Sequence, residues 1–223
     1  MTRHPSLLLL AAGTLWMVDP APGQTANSDG SISGEIKVVK DGKAVADHSR
    51  VVVYVEGVKA TATKRKHTIR QSGLQFAPQL SVVVKGTSVA FPNDDKVFHN
   101  VFSTSRATRF DLGLYRSGTA KSVDFNRAGV VDVFCNIHPQ MVSRVLVVPT
   151  PHFALTDAKG KFRVDGIPAG SYPVVVWHPN GAQVKQTLEI KAGQATTLSM
   201  EITEGERVTD HRRKDGSQYG RYE

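Results

Sequence analysis

The sequence predicts an all-β protein made of sandwiches, and three observations carry that prediction. Short valine-rich or alternating segments recur along the chain, each bounded by Gly, Pro, Asn or Asp. No segment keeps a 3.6-residue apolar period over a useful length. Glycine (19) and proline (11) are plentiful, while 40% hydrophobic and 22% charged residues are the proportions of a soluble globular chain. With 223 residues there is room for one large or two small domains with proper cores.

Taken in order, residues 1–23 read as a cleaved secretory signal peptide. Arg3 supplies positive charge, Leu7 to Val18 form an apolar run, and "APG" offers small residues for cleavage before Gln24. That run is shorter than the about 20 residues needed to span a bilayer, so an uncleaved interfacial anchor is the alternative. The mature protein is expected to be periplasmic or otherwise exported, without a transmembrane segment. A lipid anchor on a near-terminal cysteine is excluded, because the sole cysteine is Cys135. Residues 24–30 read as a linker. Strand signals follow in "GEIKVV", "RVVVYVEG", "SVVVKGTSVAF", "VVDVFC", "SRVLVVP", "KFRV", "YPVVVW", "QTLEI" and "TTLSMEI". At that spacing the architecture expected is a sandwich or barrel. Residues 204–223 are polar and charged and read as a flexible tail.

The formal net charge is +8, and removing residues 1–23 deletes Arg3 and Asp19 and leaves it unchanged. Basic residues cluster at 64–70 and 211–214, a surface that suits acidic proteins or anionic head groups, or is simply solvated. Nucleic acid is not expected as a partner, since few aromatics lie near the basic runs.

The chemistry concentrates in "CNIHPQM", where Cys135, His138 and Met141 follow one another at steps of three around Pro139. Alternation along "VVDVFC" puts Cys135 on the same face as Val131 and Val133. The loop after it joins two strands, so three sulfur- or nitrogen-bearing side chains can converge. A single cysteine cannot form an internal disulfide. It is left as an inert buried residue, a reactive thiol, an intermolecular bridge or a metal ligand. A thiol enzyme would need a base and a third group; His138 could be the base, but nothing supplies the third group and Met141 has no role. Thiolate, imidazole and a weak thioether are instead the donors of blue-copper sites, which use a second imidazole and disfavour zinc. "VAFPNDDKVFHNVFS" supplies that imidazole as His99, after a strand that ends in a turn.

These residues resemble the cupredoxin family over about residues 67–148. "FPNDDKVFHNVFS" resembles its first copper-ligand region, with an "F-x-N-x-D" turn followed by "H-N-V". "CNIHPQM" resembles the second region in its short, amicyanin-like form. The resemblance implies a Greek-key β-sandwich holding one copper ion that cycles between Cu(I) and Cu(II). His99, Cys135 and His138 would be equatorial ligands and Met141 a weak axial one. Asn100 would help tie the two ligand loops together; the residue after the cysteine, Asn136, departs from the Ser or Thr of many cupredoxins. His138 would present its outer edge at an apolar patch near Ile137, Pro139 and Gln140, where partners dock.

The flanking segments resemble a second family, the carboxypeptidase regulatory-like β-sandwich. "TDAKGKFRVDGIPAGSYPVVVW" and "QTLEIKAGQATTLSMEI" resemble its later strands, and "SGEIKVVKDGKAVADHSRVVVYVEG" its start. The expectation is therefore one sandwich split between residues 31–57 and 150–203, with the cupredoxin domain inserted at 64–149; two sequential sandwiches are the alternative.

The function implied is outer-sphere transfer of single electrons, not enzymatic catalysis. Its transient redox partner would be a protein such as a c-type cytochrome or a periplasmic dehydrogenase. Copper storage or delivery, and an envelope binding module working through the split sandwich, are the competing readings. His152 and His178 read as packing or hydrogen-bonding residues, and His48, His67 and His211 as solvated. Trp177 reads as core or as part of a domain contact, and Met200 as core.

Overall fold

The computed structural model describes residues 29–59, 65–181, 183–206 and 211–219. The expected signal peptide lies outside the described residues, as does most of the linker. Every regular element described is a strand. Among the described residues no helix is long and apolar enough to cross a membrane.

The strands are β1 (Gly30–Lys40), β2 (Lys43–Ala44), β3 (Val52–Val55), β4 (Lys66–Thr68), β5 (Arg70–Gln71), β6 (Phe76–Ala77), β7 (Leu80–Val84), β8 (Thr87–Pro92) and β9 (His99–Ser103). They continue as β10 (Phe110–Tyr115), β11 (Ala120–Phe125), β12 (Gly129–Phe134), β13 (Val142–Val148), β14 (Phe153–Leu155), β15 (Lys161–Ile167), β16 (Gly170–Trp177), β17 (Gln183–Ile190) and β18 (Ala195–Thr203).

Four of the five sheets stack as layers, and the fifth is the antiparallel pair β5-β6. The outermost has the order β15-β1-β18, with β2 on β1, and faces a sheet of order β14-β3-β16-β17. Ile32, Ile36, Val53, Val55, Val174 and Val176 fill the space between them. Strands from both sides of residues 66–148 build this sandwich, because β1 pairs with β15 and β18, and β3 pairs with β14 and β16. The third sheet has the order β10-β9-β12-β13-β7 and the fourth β11-β8-β4. Val89, Phe91, Val101, Phe125, Val131 and Val133 lie between these two.

A third apolar layer joins the sandwiches. Val52, Tyr54, Val175 and Trp177 pack on Leu146 and Val148. The two inner sheets are thus covered on both faces, which explains the unbroken runs "VVYV", "PVVVW" and "RVLVV". A strand buried on both sides reads as continuously hydrophobic, whereas a half-exposed one alternates. On β13, Val145 and Val147 enter one core while Leu146 and Val148 enter the other. By contrast β18, exposed on one face, alternates as "TTLSMEI".

Candidate metal centre

Strand polarity brings the ligand candidates together. β9 and β12 are antiparallel neighbours, with Phe134 opposite Phe102, so the start of β9 and the end of β12 lie at the same end of one sheet. His99 opens β9 and Cys135 follows β12 directly. The β12–β13 hairpin closes when Cys135 N–H donates to the Met141 carbonyl at 3.3 Å and Met141 N–H donates to the His138 carbonyl at 3.1 Å. That turn folds the chain back within seven residues and sets Cys135 and Met141 across from each other. Both are fully buried in the core between the third and fourth sheets.

The donor atoms converge. One ligand atom each from His99, Cys135 and His138 lies within 4.8 Å of the others. His99 Nδ1 is 3.0 Å from His138 Nδ1, and Cys135 Sγ is 3.6 Å from His138 Nδ1. Atoms that each bind one ion at about 2.0–2.3 Å are themselves about 3–4 Å apart, which is the spacing here. His99 Nε2 faces Asp95 Oδ2 at 2.9 Å. An ionised carboxylate only accepts, so Nε2 carries the proton and Nδ1 of the neutral ring keeps its lone pair, aimed at the shared point. Thiolate and two imidazole nitrogens, with a buried methionine on the same hairpin, form a donor set that fits copper.

Asp95 is held in place as firmly as it holds His99. Its Oδ1 accepts from Gly73 N–H at 2.6 Å and its Oδ2 from Leu74 N–H at 3.0 Å. Desolvation pushes its pKa up, but the hydrogen bonds from Leu74, His99 and Gly73 outweigh it and keep the carboxyl below the usual range. Desolvation lowers the His138 pKa, with His99 adding to that effect and Asp95 opposing it. A neutral imidazole is the form that binds a metal. His99 is completely buried, whereas His138 is half-buried and reaches the surface. Val97, Phe98 and Leu114, beside the start of β9, are 45%, 58% and 59% exposed, a share large enough to give this end of the molecule an apolar surface.

Asn100 donates to Asp111 Oδ1 on β10 at 2.7 Å, which supplies the partner that Asn136 left in question. The link onward to the cysteine loop runs through the chain's C-terminal segment. Lys214 donates through Nζ to Asp111 Oδ2 at 2.6 Å and through its backbone N–H to Asn136 Oδ1 at 2.9 Å. Composition makes 204–223 read as flexible; of it, residues 211–219 make these defined contacts, and 207–210 and 220–223 lie outside the described residues.

The sequence gives Asp95, Asp111 and Tyr219 no role at the site, and Lys214 only a place in the basic cluster 211–214. Asp95 is the acid of the "F-x-N-x-D" turn, four residues before His99, and that spacing was its only signal. The other three are joined to the site by tertiary contact alone. The histidines expected to be solvated each have a partner. His48 Nδ1 accepts from Val38 N–H, His67 pairs with Ser81, and the His211 ring stacks on Phe134 at 4.2 Å. His178 and His152 behave as read: His178 is buried and accepts from Asn180 N–H, and His152 Nδ1 lies 3.4 Å from the Asp165 carbonyl.

Among known proteins, residues 141–203 match the carboxypeptidase regulatory-like domain family. A search of curated proteins finds no match. Of solved structures, a reduced variant of amicyanin is 19% identical and aligns over 43% of this chain and 98% of its own, with a TM-score of 0.36. A purple cupredoxin from Nitrosopumilus maritimus is 24% identical over 38% of this chain and 100% of its own, with a TM-score of 0.33. A copper-containing nitrite reductase (NirK) from Thermus scotoductus SA-01 is 23% identical over 42% of this chain but 25% of its own, with a TM-score of 0.36. The carboxypeptidase regulatory-like resemblance read from the sequence recurs in the family match over residues 141–203.

Proposed function

We propose that the chain is an exported type 1 (blue) copper protein that carries single electrons between redox partners by outer-sphere transfer. The observation that carries this reading is the convergence of His99 Nδ1, His138 Nδ1 and Cys135 Sγ at one point, with Met141 buried across the hairpin. Copper bound there would supply a Cu(II)/Cu(I) couple. The chain's own residues would do the rest. His99 is locked by Asp95, and Cys135 by the hairpin and the core, so the ligands are held in one arrangement whichever oxidation state is present. Burial of Cys135 among apolar side chains shields the thiolate from water and helps set the potential.

His138, the half-exposed ligand, would be the route for the electron. Ile137, Pro139 and Gln140 flank it in the loop, and Val97, Phe98 and Leu114 would extend the apolar docking face. Such encounters are small and short-lived, and complementary charge mainly speeds them. The net charge of +8 favours an acidic partner, such as a c-type cytochrome or a periplasmic dehydrogenase. The role is that of a carrier and not of an enzyme, because no bond need be made or broken.

The test is to load the purified protein with Cu(II) and record its visible spectrum. An intense thiolate-to-copper band, absent in Cys135→Ser, is expected. A protein that binds copper with no such band, or shows the band but no reversible Cu(II)/Cu(I) couple, is not an electron carrier of this kind. The second outcome would point to storage or delivery.

A further inference from the structure

Resting on the copper reading, we propose that residues 211–219 are a positioning clamp for the metal centre, joining its two ligand-bearing segments from outside. The segment has a shape of its own. Gly216, at a φ of 85°, makes a tight turn in which Gly216 N–H donates to the Arg213 carbonyl and Arg213 N–H to the Ser217 carbonyl, both at 2.9 Å. Asp215 Oδ1 accepts from the Ser217 backbone N–H and hydroxyl at 2.9 and 2.7 Å. A turn already closed by its own hydrogen bonds loses less entropy on docking.

The clamp grips the cysteine loop at two points. The Tyr219 hydroxyl donates to the Cys135 carbonyl at 2.6 Å. That uses its one hydrogen, so His211 Nε2, 2.9 Å away, donates to the Tyr219 oxygen. His211 in turn stacks on Phe134, the residue before Cys135, with the rings 15° from parallel. At the second point Lys214 N–H donates to Asn136 Oδ1, on the residue after Cys135.

The other arm reaches the His99 segment. Lys214 Nζ meets Asp111, which also accepts from Asn100, the residue after His99. The residues following the two ligands are thus connected through Asn100, Asp111, Lys214 and Asn136. Tyr219 and Lys214 act on the metal through Cys135 and Asn136 and are positioning residues. Lys214 Nζ is paired with Asp111 Oδ2, so its charge is largely compensated and its effect on the site is on geometry.

The experiment uses the full mature chain and two variants, Tyr219→Phe and Lys214→Met, with two readouts. In the metal-free proteins, hydrogen exchange is followed at the Cys135 and Met141 amides, which close the loop. In the copper-loaded proteins, affinity for Cu(II) and the position of the thiolate band are measured. A clamp predicts exchange about fivefold faster in each variant, from one lost hydrogen bond. It also predicts an affinity lower by about tenfold or more, with a shifted band. Unchanged exchange, affinity and band in both variants would overturn it. Should the wild type show no thiolate band, the copper reading fails, and the exchange measurement alone then decides whether the segment holds the loop.

Discussion

At the level of single residues, the least conspicuous carboxylate does the most to define the centre. His99 could present either ring nitrogen, and only the contact from Nε2 to Asp95 turns Nδ1 toward His138 and Cys135. Asp95→Asn replaces an obligate acceptor with a group that can also donate, so the tautomer is no longer imposed. Copper affinity is expected to fall by about 10- to 100-fold, while Cys135→Ser abolishes the thiolate band altogether. Titrating each protein with Cu(II) against a competing chelator checks both. The four ligand candidates were legible in the sequence because their chemistry and spacing are local to two short stretches. Asp95 was not, because a turn aspartate is ordinarily solvated. Its burial against Gly73 and Leu74 comes from a loop more than 20 residues away.

Among the elements, those legible from pattern were the ones whose faces see one environment. β18 alternates and was readable as a strand with an inward Leu198 and Ile202. The runs at β3, β13 and β16 gave strands but not their partners, since continuous apolarity does not say which face meets which core. The turn at Asp157–Gly160 was legible in "TDAKG", and the structure shows why glycine stands there. Gly160 has a φ of 78°, and a Cβ on it would sit 2.1 Å from the Ile36 carbonyl oxygen. Gly160→Ala is expected to cost more than about 1–2 kcal/mol, seen as a lower denaturation midpoint. The segment 211–219 shows the limit of composition, because a polar stretch reads as flexible wherever its partners are distant in sequence. Its anchor should depend on acid. Desolvation raises the Asp111 pKa, but hydrogen bonds from Lys214, Gly113 and Asn100 and the Lys214 charge prevail and lower it. A carboxyl depressed in the folded state contributes stability above its unfolded pKa and loses it as pH falls through the folded value. Protection of the cysteine loop in the metal-free protein should therefore persist to below about pH 4 and then fall. In Asp111→Asn that acid-dependent part should be missing.

Across the whole molecule, the layer between the sandwiches decides whether they behave as one body. Leu146 and Val148 on β13 pack on Val52, Tyr54, Val175 and Trp177, and the hairpin that carries Cys135 and Met141 continues straight into that strand. Arg144, also on β13, pairs with Asp132 at 2.5 Å and donates to the Pro179 carbonyl of the neighbouring sandwich. An apolar layer of this kind, unlike a wet domain contact, makes independent motion costly. Leu146→Ala would leave a cavity touching both bodies and is expected to cost about 2–5 kcal/mol. Once residues 1–23 are removed Trp177 is the sole tryptophan, and it lies in this layer, so its fluorescence reports the interface directly. If the layer couples the sandwiches, Trp177 fluorescence and the thiolate-to-copper band should be lost in one transition, and Leu146→Ala should move both midpoints down together. A band that outlasts the Trp177 transition would mean that the copper-binding sandwich stands without its neighbour. The variant would then shift the fluorescence and leave the band where it was.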